Sequence, residues 1–175
     1  MYSNENIKKV CSFCVSDLHL ITMLLPYLNK KIKTEEKVIT ILEEDLEEQI
    51  NLVLSRLTLN EEEKLNLLNI NWNREIIYNF KIIEEEINKI CKNNKRINII
   101  INGSKEYIEA VNQKLEAIFN NSSFQSEIKV INCYDITKLD EDIKDILKSH
   151  DTILNTSGEK EISEVFEGYE KQKGA

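Results

Sequence analysis

Glycine is scarce in this chain of 175 residues: there are four, and the first stands at Gly103. A loop that wraps a phosphate with inward-pointing backbone N–H groups needs glycines, because it takes up unusual φ/ψ values. The turn after the first apolar run reads Cys11-Ser12-Phe13-Cys14-Val15-Ser16-Asp17 and contains none. This excludes a glycine-rich cradle at the place where a nucleotide-binding α/β domain carries it. Long apolar runs are missing as well. The longest, Ile21 to Leu25, includes Thr22 and stops at Pro26, far short of the ~20 residues that span a bilayer. Positive charge is in deficit, with 23 Lys and Arg against 31 Asp and Glu, a net charge of -8. Such a chain repels nucleic-acid phosphates and anionic lipid, so neither nucleic acid nor a membrane is expected as a partner. The first residues, Met1 to Asn6, are polar and lack the apolar region of a signal peptide. The expectation is a cytoplasmic protein whose four cysteines are thiols.

Hydrophobic residues make up 41% and charged residues 31% of the chain, enough for a folded core. The length fits one domain over residues 1–175, with a loose tail from about residue 171. Ile7 to Val15 reads as a first strand. Ser16 is a good N-cap, and Asp17 suits the first turn of a helix running to about Lys33. Leu18, Ile21, Leu24, Leu25 and Leu28 recur there at helical spacing. Pro26 falls inside that helix and is expected to kink it, since its ring displaces the Thr22 carbonyl. Lys37 to Leu42 is a compact strand, and Glu43-Glu44-Asp45 leads into a helix from about Leu46 to Leu57.

Asn60 to Glu63 opens a short helical or extended segment, and Leu68 to Trp72 is a candidate third strand. Asn73 is placed to cap a long helix from Arg74 to about Lys92, with Ile76, Ile77, Phe80, Ile83, Ile87 and Ile90 as its inner stripe. Ile97 to Ile101 is apolar at four of five positions, as in a parallel strand buried on both faces. Asn102-Gly103-Ser104 turns into a helix over Lys105 to Phe119. Ile128 to Cys133 is another strand, ending at Tyr134-Asp135. Thr137 caps a helix over Leu139 to Leu147, and Thr152 to Leu154 is a last short strand. Thr156-Ser157-Gly158 turns into a terminal helix from Glu161 to about Glu170. Alternation of strand and helix through right-handed crossovers predicts an α/β fold: a single three-layer domain with a mostly parallel sheet and helices on both faces.

In open α/β sheets ligands sit beyond the carboxyl ends of the strands. That rule selects Cys14, Ser16 and Asp17 after the first strand, Glu43, Glu44 and Asp45 after the second, Asn71 and Trp72 after the third, Asn102, Gly103 and Ser104 after the fourth, and Tyr134 and Asp135 after the fifth. The edge is acidic and aromatic, which argues against a nucleotide triphosphate and permits a neutral, apolar or cationic ligand. Ser, Asp and Asn at such turns are also capping residues in their own right. The Glu61-Glu62-Glu63 and Glu84-Glu85-Glu86 runs read as solvated faces, and Lys30-Lys31-Ile32-Lys33 and Lys92 to Arg96 as complements to helix ends.

Cys11-Ser12-Phe13-Cys14 has Cys-x-x-Cys spacing. In a strand, residues three apart point to opposite faces, whereas redox pairs of this spacing sit at a helix N-terminus. Core thiols, a redox pair and a metal site are the three readings, and the lone Cys91 and Cys133 offer no second pair for zinc. His19 sits between two leucines, and His150 follows a helix end, where it complements the helix dipole. No nucleophile–base set is visible from spacing.

Two stretches carry a resemblance. One runs from Cys11 to Glu44 through Leu24-Leu25-Pro26-Tyr27-Leu28 and Glu36-Lys37-Val38-Ile39-Thr40-Ile41-Leu42. The other runs from Val130-Ile131-Asn132-Cys133-Tyr134-Asp135 to Leu147-Lys148-Ser149-His150. Together they resemble the MEDS sensory domain family of methanogen and methylotroph regulators, which is similar to a RecA-type α/β domain without its phosphate loop. Cys133-Tyr134-Asp135 and His150 are the closest matches, and Glu116 matches a glutamate between them. Asp151 stands where the family usually has proline. The resemblance implies a sensory or regulatory role without enzymatic activity and with no cofactor. It further implies a small organic ligand near the strand ends and an output that passes through a regulatory protein partner. A ligand-free interaction or homodimerisation module, and a thiol sensor using Cys11 and Cys14, are the alternatives.

Overall fold

Six strands form one sheet in the order β2-β3-β4-β1-β5-β6. A computed structural model of the chain describes residues 2, 4–75, 80–140 and 143–169. The strands are β1 (Ile7–Cys14), β2 (Lys37–Leu42), β3 (Arg96–Gly103), β4 (Glu127–Asp135), β5 (Thr152–Asn155) and β6 (Gly158–Glu161). The first five are parallel, and β6 turns back antiparallel on β5. The helices are α1 (Asp17–Lys33), α2 (Glu47–Leu54), α3 (Glu61–Leu68), α4 (Phe80–Asn93), α5 (Lys105–Asn121), α6 (Lys144–Lys148) and α7 (Ile162–Val165), with a 3-10 turn at Ile136–Lys138.

The sheet separates two cores. On one face a leucine-rich core joins α1, α2 and α3 to Val10, Cys14, Leu42, Ile100, Ile131 and Cys133. On the other an isoleucine-rich core joins α4, α5, α6 and α7 to Cys11, Ile99, Ile101, Val130 and Tyr134. Adjacent strand residues feed opposite cores because successive side chains alternate across a pleated strand. The three-layer α/β architecture with a mostly parallel sheet is therefore as the pattern predicts.

Local chemistry explains the well-placed elements. Ser16 caps α1 by accepting from the His19 N–H, and Lys30, Lys31 and Lys33 occupy its last turn, where cations offset the negative helix end. The helix runs without a break through Pro26. It ends with Glu35 at φ 60° and a hydrogen bond from the Glu36 N–H to the Lys31 carbonyl. Glycine is the usual residue at this left-handed position, so the shortage of glycine extends to a helix end.

Several expectations fail. Leu68 to Trp72 is not a strand: Leu68 closes α3, and Trp72 is buried in the leucine-rich core with its indole N–H on the Leu67 carbonyl at 2.9 Å. Asn69 and Asn71 are poor strand formers, and covering the core, not pairing, fixes this segment. The segment 73–75 is not helical. The Arg74 N–H donates to the Asp45 carboxylate at 2.7 Å and the Glu75 N–H to the Leu42 carbonyl at 2.7 Å, so Asn73 caps no helix. Ile76 and Ile77 lie outside the described residues, as do Glu170 and the tail beyond it. Asn60 to Glu63 is helical, with Asn60 capping α3 through the Glu63 N–H. Thr137 lies within the 3-10 turn and does not cap α6. Glu161 closes β6, an unexpected hairpin strand, and the terminal helix is present one residue later but short, as α7 over Ile162–Val165. Gly158, at φ 105°, starts that strand.

Candidate functional site

β1 leads into α1 on the leucine-rich face, whereas its neighbour β4 leads toward α6 on the isoleucine-rich face. Connections that depart to opposite faces open a crevice between the strand ends, and this is where ligands enter such sheets. Cys14 pairs in register with Asp135, so the β1–α1 corner and the β4 exit flank this crevice. The corner is Val15-Ser16 alone, between Cys14 and Asp17. Among the described residues, positive φ occurs only at Glu35, Gly158 and Gly168, all elsewhere. The Val15 N–H donates to His19 Nδ1 at 3.1 Å and the His19 N–H to Ser16 Oγ at 3.1 Å. The Val15 and His19 amides thus serve side chains of the corner itself. Asp17 is exposed beside it.

On the other side, Asp135 accepts from the Thr137 N–H at 2.9 Å and its hydroxyl at 2.6 Å, with Lys138 Nζ at 3.9 Å. Val15, Leu18 and Ile136 are 53%, 47% and 42% exposed at this edge. Large apolar side chains in that position are unusual enough to ask for a function when they share one edge. Below them, the Phe13 and Tyr134 rings stack at 6.0 Å.

The next helix start along the edge is also occupied by the chain. The Ser104 N–H, at the head of α5, donates to Glu43 Oε2 at 2.5 Å, and the Ser104 hydroxyl faces Oε1 at 3.3 Å. A carboxylate there answers the helix dipole. Gly103 permits the approach: a Cβ on it would lie 2.5 Å from Glu43 Oε2 and 2.7 Å from the Tyr107 ring. Glu43 and Asp45, which accepts from the Arg74 N–H, are therefore the structured carboxylates after β2, and Glu44 is exposed.

Beneath Tyr134 runs a buried polar chain that the sequence pattern did not single out. The Tyr2 hydroxyl donates to Asn112 Oδ1 at 2.8 Å, Asn112 Nδ2 to Asn132 Oδ1 at 2.9 Å, and Asn132 Nδ2 lies 3.0 Å from His150 Nε2. His150 Nδ1 is 2.6 Å from the Ile146 carbonyl. A carbonyl only accepts, so we assign the ring proton to Nδ1 and make Nε2 the acceptor for Asn132. Every bond then points the same way, from the N-terminal segment to α6. The Tyr134 ring meets the His150 ring edge-on at 6.1 Å. Burial, and secondarily nearby acidic groups, hold the Tyr134 and Tyr2 hydroxyls well above the usual tyrosine range. An asparagine amid Ile128-Lys129-Val130-Ile131 was the available signal, since strand interiors are poor in asparagine.

The remaining candidates scatter. Trp72 is in the leucine-rich core and Tyr134 in the other, so no cavity is shared by Cys14, Trp72 and Tyr134. Cys133 is fully buried on the Trp72 side. Cys14 faces that side and Cys11 the other. Burial pushes the Cys11 thiol up to about 12 and the Cys14 thiol to about 11, the reverse of a reactive pair. Among the described residues, no group of three or more His, Cys, Asp and Glu is placed to hold a metal. No described helix is long and apolar enough to cross a membrane. A cavity of about 310 Å³ lies away from the crevice, along the outer edge of β2. No protein-family model matches the chain, and no curated protein matches it either.

Proposed function

We propose that this protein is a non-enzymatic sensory or regulatory domain that binds a small organic ligand in the crevice between β1 and β4 and signals through a partner protein. The observation that carries this reading is the two-residue corner between Cys14 and Asp17, which has no positive φ and where the Val15 and His19 amides are used internally. Such a corner has no room to wrap a phosphate with main-chain amides. The α5 start is filled by Glu43, and Asp17 and Asp135 add negative charge to the rim. Anions are disfavoured there. The exposed Val15, Leu18 and Ile136 suit an apolar ligand, and the carboxylates suit one bearing a positive charge. The resemblance to the MEDS sensory domains supports the same reading.

A route for the signal follows from the packing. A ligand that shifts Tyr134 presses on the His150 ring, which is tied to α6 through the Ile146 carbonyl. Thermal-shift and calorimetric screening against neutral and cationic amphiphilic metabolites, with Mg·ATP and Mg·GTP alongside, tests the proposal. The expected result is a stabilising organic ligand whose effect disappears in Val15→Asp and Ile136→Asp, with no response to either nucleotide. ATP turnover abolished by Asp135→Asn would overturn it.

A further inference from the structure

The two edges of the sheet are built differently. β6 is short and reads Gly158-Glu159-Lys160-Glu161, a charged edge of the kind that resists pairing with other chains. β2 reads Lys37-Val38-Ile39-Thr40-Ile41-Leu42, with Lys37 as its only charge and no proline or bulge. Its partner on one side is β3. On the other, among the described residues, the Leu42 carbonyl accepts from the Glu75 N–H, Leu42 bridges Arg74, and the Thr40 hydroxyl donates to the Asn71 carbonyl. Backbone groups of alternate residues point the same way along a strand. With Leu42 turned outward, Val38 and Thr40 are turned outward too. Among the described residues their outward N–H and C=O groups meet no backbone partner.

This open edge is the floor of the cavity of about 310 Å³. Asn69 and Ile70, just past α3, wall one side, and Ile83 and Glu86 of α4 wall the other. Helical layers that overhang both sides admit one extended chain and obstruct a second sheet with helices of its own. The lining carries three carboxylates, Glu36, Glu75 and Glu86, against one ammonium, Lys37. Glu36 is paired with Lys31 Nζ at 3.6 Å, so Glu75 and Glu86 carry the acidic character of the rim. A second copy of this chain, at net charge -8 and with the same rim, is repelled.

We propose that the β2 edge captures an extended segment of a partner protein, rich in alternating apolar and basic residues, as an added strand. Main-chain bonds to Val38, the more exposed of the two outward positions, supply affinity, while Thr40 is buried beside Asn71. The acidic rim selects lysine or arginine on the partner. This stands whether or not the crevice between β1 and β4 holds a ligand, and its test reads only the β2 edge.

The probe is a short fluorescein-labelled peptide alternating valine with lysine, followed by anisotropy. Its controls are a valine–glutamate peptide and a valine–lysine peptide N-methylated at alternate residues, which keeps the charge but cannot pair. Val38→Pro removes one outward donor while leaving the bonds to β3, the one way proline is tolerated in an edge strand. The valine–lysine peptide is expected to bind, with about tenfold loss on N-methylation or in Val38→Pro. A few-fold loss is expected in Glu86→Lys, and no binding of the glutamate peptide. Absence of binding, equal binding of the N-methylated peptide, or a wild-type dimer by light scattering that Val38→Pro dissolves would each overturn the proposal. If Val38→Pro does not fold, the N-methylated comparison and Glu86→Lys decide it.

Discussion

The two faces of the sheet bury polar side chains in different ways. Under α1–α3, most have a backbone partner of their own: Ser12 donates to the Leu154 carbonyl at 2.9 Å, Asn102 to Cys133 at 3.0 Å, Thr40 to Asn71, and Trp72 to Leu67 at 2.9 Å. The exceptions have side-chain partners: Asn98 is held by Tyr27 and Glu36 at 3.4 Å each, and Thr152 sits on Glu159. Under α5 and α6, Asn112, Asn132 and His150 bond to one another in series. The difference is one of coupling. A separate pair is lost alone, whereas a shared chain strands its other members when one is removed, and stranding is the costlier event. The leucine-rich face therefore holds its elements in place through apolar packing, and the isoleucine-rich face adds specificity along the line from Tyr2 to α6.

The largest effect should come from the apolar side of that contrast. Trp72→Ala removes the largest fully buried side chain of the leucine-rich core and the tie to Leu67. The expected loss is about 3–5 kcal/mol in urea unfolding. A loss below ~1 kcal/mol would mean that residues 69–75 are not part of that core.

The next test separates coupled from uncoupled polar groups. Asn132→Ala removes the donor to His150 Nε2 and one of the two acceptors of the Asn112 amide, which keeps the Ile108 carbonyl. It is expected to cost about 2–3 kcal/mol, where Ser12→Ala costs about 1 kcal/mol. A double-mutant cycle of Asn132→Ala with His150→Ala should show an interaction energy of at least ~0.5 kcal/mol. Ser12→Ala with Thr40→Val lies across three strand spacings, roughly 14 Å, and should be additive. Equal behaviour of the two cycles would erase the contrast between the faces.

The same contrast explains what could be read from sequence. Strand and helix alternation, the β2 limits and the Ser16 and Ser104 caps rest on local periodicity and capping chemistry, which neighbours in sequence determine. Trp72 and the polar chain are tertiary facts. A tryptophan after a short apolar run looks like a strand end until the α1–α3 core is seen to need it as a plug. Asn132, 20 residues from Asn112 and 18 from His150, acquires partners only when β4 lies between α5 and α6. The antiparallel β6 escaped notice because Gly158-Glu159-Lys160-Glu161 has no apolar alternation: an edge strand made to repel pairing carries no hydrophobic signal. Glu43 was one of three consecutive acids, and only the missing side chain of Gly103 distinguishes it.

That glycine gives a smaller effect. Gly103→Ala brings a methyl group against the Glu43 carboxylate and the Tyr107 ring, loosening a side-chain-to-backbone pair of the separate kind. The expected cost is about 1 kcal/mol. Glu43→Gln should cost less than Gly103→Ala, and a double variant should cost less than the sum, because both act on the same contact.

Glu159 provides the finest probe, since it is a shared acceptor on the face of separate pairs. Lys129 Nζ lies 2.9 Å and Lys8 Nζ 3.8 Å from its Oε2, and Thr152 donates to Oε1 at 3.3 Å. Burial raises this carboxyl, but the Lys129 hydrogen bond and the two ammonium charges outweigh it and hold the group below the usual glutamate range. A depressed folded value means that the stabilisation is complete above the unfolded value of about 4.3 and is lost as pH falls through the folded one. Solvent reaches the pair, so the contribution should stay under about 1 kcal/mol. Urea midpoints measured from neutral pH down to about 3 should therefore fall more steeply for the wild type than for Glu159→Gln. Parallel curves would show that the lysines do not act on Glu159 in solution.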